Sequence, residues 1–318
     1  MIFTKLCSAK QDMDVLSSTP RPSFIWRVIP SLRIVNLMQN LEERDVENST
    51  ACRRLVRQAK WKEPTAGMAP GFIQGNVVIL PEAYAADFMQ YCLNNPKPCP
   101  LLGISKAGSR SLKSLGEDID LARDIPKYHI YHNAGLVKEA IDIVDLWRED
   151  LVTFVLGCSF SFEHALQLAG HPVRHIDLKQ NVPMFDTNIS TVPGGIFSGQ
   201  LVVTMRPVKR ESLREVYRIC SRYTFAHGAP IHAGDPSIIG ISNLDNPQYG
   251  DPVELEDDEV PVFWACGVTT QVALMNGRPD FYVTHAPGYM LITDLVQPDD
   301  IDPIKISTEF YKELTLEN

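Results

Sequence analysis

Positions 151–162 run for 12 residues without a charged side chain, interrupted by Gly157, Ser159 and Ser161. Such a run belongs in a core, yet it is much shorter than the roughly 20 apolar residues a membrane-spanning helix requires. No membrane partner is therefore expected. Residues 151–156 suit a buried strand ended by Gly157, and Ser159 or Ser161 then caps a helix over 162–169 that stops at Gly170. A thiol, Cys158, falls in the turn between them, where helix N-terminal N–H groups and the positive end of the helix dipole favour a thiolate or a bound carboxylate.

The same alternation extends along the chain. Apolar spacing predicts a helix over 42–60, a strand over 72–80, and a helix over 82–93 that opens after Pro81. Alternating prolines make 95–100 an extended wall. Strands are expected at 127–131, 175–179, 201–207, 260–266 and 281–285, and helices at 137–150 and 211–223, the last with Leu213, Val216, Tyr217 and Cys220 on one face. This pattern reads as α/β with mixed α+β character, a two-domain chain of mixed sheets with flanking helices. The expected division is an N-terminal arm (1–43), a main domain (44–120 with 208–296), a smaller domain (121–207) and a tail (297–318).

Charge narrows the partners. The net charge is −9, with ten Lys/Arg against six Asp/Glu in residues 1–60 and none of the basic pair between 233 and 277. Nucleic acid, which needs a basic face, is not expected. An anionic ligand must be met by a local device such as a helix N-terminus or a placed arginine. Seven dispersed cysteines read as reduced thiols rather than a disulfide framework. The expected compartment is the cytoplasm, with the mitochondrial matrix as the alternative.

Several residues carry candidate chemistry. Cys158, Ser159, Ser161 and Glu163 crowd one helix start. His227, His232 and Asp235 sit on a loop pinned by glycine and proline, which holds side chains still, and His285 precedes Pro287-Gly288. Cys266-Gly267 repeats the strand-then-thiol design after 260–265. Arg206, near the end of a predicted strand, suits bidentate binding of a carboxylate. The run 254–259 reads as a solvated acidic turn. Acid/base chemistry by Glu163 and a histidine, covalent chemistry by Cys158 or Cys266, and a metal held by His227, His232 and His285 all remain open on spacing alone.

Taken together, certain segments carry a resemblance. They are Thr65-Ala66-Gly67, Ala69-Pro70-Gly71-Phe72-Ile73-Gln74-Gly75-Asn76, Asn95-Pro96-Lys97-Pro98-Cys99-Pro100, and Gly157-Cys158-Ser159-Phe160-Ser161-Phe162-Glu163. Met205-Arg206-Pro207, the 227–236 loop, Phe263-Trp264-Ala265-Cys266-Gly267-Val268-Thr269 and Thr284-His285-Ala286-Pro287-Gly288 complete the set. Over about 44–296 this resembles the D-glutamate cyclase family of hydro-lyases, with mild departures at Gly195, Thr204 and Thr270. The resemblance implies a two-domain protein of uncommon fold that removes water from D-glutamate to give 5-oxo-D-proline. It supplies no catalytic residues.

Residue chemistry then suggests His227 or His232 as base, Glu163, protonated by burial, as acid, and Asp235, Cys158, Cys266 and His285 as further catalytic candidates. Ser159, Ser161 and Arg206 would bind the substrate. A small carboxylate as ligand, no cofactor, and a homodimer complete the expectation. The alternatives are a non-catalytic carboxylate-binding protein and a metal-dependent lyase.

Overall fold

Why strand β1 (Gln74–Pro81) lies at the centre follows from its composition: Val77, Val78, Ile79 and Leu80 are all fully buried, so apolar surface must cover both faces. The computed structural model describes residues 47–296 together with 306, 308–310 and 312. Helix α1 (Ser49–Arg57) precedes β1, and α2 (Ala85–Asn94) follows it after one turn of 3-10 helix. Next come β2 (Leu101–Ile104), β3 (Tyr128–His132), β4 (Gly135–Ala140) and β5 (Leu151–Gly157). The chain continues with helices α3 (Phe160–Leu168) and α4 (Arg174–Asp177), then strands β6 (Met184–Ser190) and β7 (Gln200–Lys209). Helix α5 (Leu213–Cys220), β8 (His232–Ala233), β9 (Glu259–Ala265), α6 (Val268–Gly277), β10 (Phe281–His285) and β11 (Leu291–Ile292) complete it.

Among the described residues the strands form two sheets. One has the order β2-β5-β1-β10-β3-β4, with β11 also on β1; the other runs β6-β7-β9-β8. Every pairing is antiparallel, so the fold is α+β and the expected mixed sheets are not found. The segment 121–207 contributes β3, β4 and β5 to the first sheet and β6 and β7 to the second. The expected domain division therefore does not follow the sheets. The expected arm (1–43) and most of the expected tail (297–318) lie outside the described residues.

Side-chain alternation divides the first sheet between two cores. Val77, Ile79, Val155 and Val283 face one, while Val78, Leu80, Phe154 and Tyr282 face the other with Phe88 and Tyr91 of α2 and Leu274 of α6. Each fully buried aliphatic or aromatic side chain contributes roughly 1.5–3 kcal/mol of transfer free energy. The second sheet packs Val262 and Trp264 against Phe162 and Leu166 of α3 and Val216 of α5.

Local predictions failed where turn chemistry or tertiary contacts overrode pattern. Residues 137–150, expected as helix, form β4 and a 3-10 turn (Val144–Leu146). The cause lies upstream: Asn133 and Ala134 both have positive φ, 48° and 67°, the two-residue conformation that folds β3 back into a hairpin. Residues expected as a strand at 175–179 instead contain part of α4. Pro81 ends β1 and is also the N-cap of the 3-10 turn (Glu82–Tyr84) that leads into α2, as expected. Glu259, read as part of a solvated turn, is buried at the start of β9 and paired with Arg174 at 2.6 Å.

Candidate active site

Two strand ends converge to build the site. At Gly157, the last residue of β5, a Cβ would lie 1.5 Å from the carbonyl oxygen of Phe225. Only glycine permits that approach, and it seats the 224–226 turn directly on the strand end. His227 follows in the left-handed region at φ 75°. Its Nδ1 lies 2.9 Å from the Lys97 carbonyl oxygen, so Nδ1 carries the proton and Nε2 the lone pair. Burial lowers its pKa to about 4, which keeps the imidazole neutral.

Cys158 follows β5 and Cys266 follows β9, and both strands lead into helices, α3 and α6. Each sulfur accepts the backbone N–H two residues on, from Phe160 and Val268. The sequence shows a helix start only after Cys158. That after Cys266 is hidden by Thr269 and Thr270, whose β-branched side chains disfavour helix in isolation. Here they bond backbone instead: Thr270 Oγ1 donates to Gly267 O at 2.7 Å and Thr269 Oγ1 accepts from Val202 N at 3.0 Å.

A single buried amide joins the two strand ends. Asn76 Nδ2 donates to Gly157 O at 2.7 Å, and its side chain fills the place a Cβ on Gly267 would occupy, 2.3 Å away. Cys158 and Cys266 consequently share one apolar cluster with Phe160, Val182, Val268 and Met290. Burial raises the Cys158 thiol well above its usual range and Cys266 to about 11. Both are protonated thiols at neutral pH, so helix N–H groups do not create a standing thiolate here.

Glu163, on α3, is 1% exposed. Arg206 Nε donates to its Oε1 at 3.1 Å, Arg206 Nη2 contacts the same oxygen, and His175 Nε2 stands 3.1 Å away. Burial pushes the carboxyl pKa up, but His175 and then Arg206 outweigh it, and the net shift is downward. Glu163 is thus ionised, contrary to the expectation of an acid protonated by burial. Its Oε2 is buried without a hydrogen-bond partner, and its charge is felt at Cys158.

Arg206 does not hold a free fork toward a substrate. Its Nη1 donates to Thr204 Oγ1 at 3.0 Å and its Nη2 donates also to Ser159 Oγ at 2.9 Å, and its plane lies near the Phe162 and Trp264 rings. The arginine orients Glu163. Ser159 occupies the N-cap position without a capping bond from its side chain, because its hydroxyl is taken by Arg206. Ser161 Oγ accepts from Gln74 N at 3.1 Å, fixing α3 to β1.

The remaining candidates lie elsewhere. His232 Nε2 is 2.7 Å from Asp235 O, and its ring stacks on Phe263. Phe263 faces a cluster with Val203 and Met205, on the opposite side of the second sheet from Trp264 and Arg206. Asp235 is exposed and accepts from Ser237 N at 2.9 Å, capping its own turn. His285 is fully buried in the first sheet with Nδ1 3.1 Å from Val77 N, and burial lowers its pKa to about 4. His227, His232 and His285 are thus held by three separate partners. Among the described residues no three His, Cys, Asp or Glu side chains converge as metal ligands.

Three residues at the site escaped the sequence reading. His175 was hidden by the mistaken strand. Gln74 and Asn76 carried a usable signal: polar side chains within an otherwise apolar central strand are rarely buried without a task.

This is an α+β protein with a buried carboxylate and two protonated thiols at paired helix starts, and a neutral histidine that follows the turn seated on the end of β5. The family model described as D-glutamate cyclase matches residues 152–294. A Verminephrobacter eiseniae protein named "Putative hydro-lyase" is 51% identical over 247 residues, covering 78% of this chain and 90% of the relative. A namesake from Bordetella pertussis is 54% identical over 233 residues (73% and 84%), and one from Geobacillus kaustophilus 48% over 248 residues (78% and 94%). The chain belongs to the D-glutamate cyclase family, and its class is that of the carbon–oxygen lyases. Among the described residues no helix is long and apolar enough to cross a membrane.

Proposed function

We propose that the protein removes water from D-glutamate to form 5-oxo-D-proline, without a cofactor, at the site bounded by Glu163, Cys158, Cys266 and His227. The observation that carries this reading is the unpaired Oε2 of an ionised, buried Glu163 beside a protonated thiol. Lactam formation requires the α-nitrogen to give up two protons, one before and one after it attacks the γ-carboxyl carbon, and one carboxyl oxygen to take up two and leave as water. Glu163 accepts the nitrogen's protons one at a time. Cys158, held protonated, delivers a proton to the departing oxygen at each turn, and neutral His227 returns the proton from Glu163 to the Cys158 sulfur through Nε2. Enclosure of the curled chain between the two strand ends supplies orientation.

The carboxylate is thus the base, where burial alone suggested an acid, and the thiol is the acid. Family membership supports the reaction class, and the pairing of base and acid supports the substrate. The test is proton NMR of purified protein with D- and L-glutamate, alongside hydrolysis of 5-oxo-D-proline. Formation of 5-oxoproline from the D enantiomer, lost in Glu163→Gln, is expected. No turnover of either enantiomer in either direction at high enzyme concentration would sink the reading; tight binding of a carboxylate without product would point to a binding protein.

A further inference from the structure

Two buried amide oxygens near the thiol cluster face no partner, and their orientation is not arbitrary. Gln74 is 2% exposed. Its Nε2 donates to the carbonyl oxygens of Thr65 and Met68, both at 3.0 Å, which obliges Oε1 to point away from them. That oxygen is buried and unpaired. Asn181 Nδ2 donates to Pro287 O at 3.0 Å, so its Oδ1 is likewise set, buried and unpaired.

The two amides meet a common junction. Thr65 N donates to Gly288 O at 2.9 Å, and Thr65 Oγ1 accepts from Met290 N at 3.0 Å. A Cβ on Gly288, whose φ is 92°, would strike the Asn181 side chain at 2.6 Å. Ala66 and Met290 then pack into the cluster that holds Cys158 and Cys266. A buried acceptor left without a donor keeps the full cost of its desolvation. Both donor ends are fixed by backbone carbonyls, so the two oxygens are left as acceptors for N–H groups from a ligand.

We propose that Gln74 Oε1 and Asn181 Oδ1 bind the α-ammonium of an amino-acid substrate, making this site selective for a primary amine over the matching des-amino carboxylate. The inference rests on the reading of the site as one that takes a small amino acid. Neutral amide oxygens suit the chemistry. They accept two of the three N–H bonds and leave the third for Glu163, and they do not trap the nitrogen in its charged form as two carboxylates would. The nitrogen is thus held by acceptors yet remains free to become a nucleophile.

The experiment compares binding of D-glutamate, glutarate and N-acetyl-D-glutamate by calorimetry, with turnover of D-glutamate recorded in parallel. In the wild-type protein glutarate and the N-acetyl compound bind at least about tenfold more weakly than D-glutamate, as loss of a charge-assisted hydrogen bond requires. Asn181→Leu and Gln74→Met abolish that preference while leaving glutarate affinity within about twofold, whereas Asn181→Asp, which retains an acceptor, keeps it.

If D-glutamate binds with this selectivity but is not turned over, the proposed reaction fails and the ammonium site stands. If turnover occurs and the folded Leu and Met variants still prefer D-glutamate, the ammonium site is overturned and the reaction stands. Wild-type protein that binds glutarate as well as D-glutamate overturns the site without any variant, and so does failure to bind any amine.

Discussion

Arg206 and Glu163 form an ion pair in which the arginine is 4% exposed and the glutamate 1%. All three guanidinium nitrogens are engaged, on Glu163, Thr204 and Ser159. The pair thereby couples the second sheet to the first turn of α3, which carries the carboxylate proposed to do the chemistry. Removing one partner strands the other.

Arg206→Met is expected to lower stability by about 3–5 kcal/mol, because it leaves a buried carboxylate without its cation. Adding Glu163→Gln should recover a substantial part of that loss, since the uncompensated charge is then gone. Urea unfolding of the two single variants and the double variant checks this. Strict additivity would show that the pair is not coupled as described.

Acid should destabilise the fold from near neutrality downward. His227 and His285 each have a folded pKa of about 4, lowered by burial, against about 6.5 in the unfolded chain. Between those values only the unfolded state binds the proton. The stabilising contribution is therefore complete above about pH 6.5 and falls as the pH drops toward 4, by about 1.4 kcal/mol per pH unit for each histidine. His227→Gln should flatten the slope of stability against pH by about one proton in that window.

Native thiol reactivity should be low. With Cys158 and Cys266 both pushed up by burial, iodoacetamide at pH 7.5 should modify neither at an appreciable fraction of its rate in the guanidinium-unfolded chain. Peptide mapping after timed labelling reads the two positions separately. Rapid modification of Cys158 in the native protein, blocked by substrate, would restore a nucleophilic thiolate and remove its role as acid.

Gly157→Ala tests how the strand end positions His227. The new methyl group would collide with Phe225 O and the backbone behind it, and side-chain rearrangement cannot relieve a clash with main chain. A stability loss of about 1–3 kcal/mol is expected, with kcat falling much more than the folded fraction does. Gly170→Ala serves as the control. That glycine has a positive φ of 83°, which Gly157 does not, but a Cβ there would meet nothing within 4 Å, so it should cost stability without a matching loss of kcat.

Much of this protein was legible in its sequence wherever the physics is local. The central strands β1, β5, β7, β9 and β10 follow from apolar runs that can satisfy themselves only inside a sheet. The Gly157-Cys158 turn into α3 follows from glycine and helix-start chemistry, which points to Cys158 and Glu163, while Cys266 stands out only as a second thiol at a strand end. What the sequence could not determine depends on through-space partners. Whether Glu163 is charged is decided by His175 and Arg206, 12 and 43 positions away in the chain, since burial alone would have neutralised it. That His232, stacked on Phe263, falls on the opposite side of the second sheet from Trp264 and Arg206 is set by which side of the sheet a residue occupies, and strand pairing, not spacing, fixes that side.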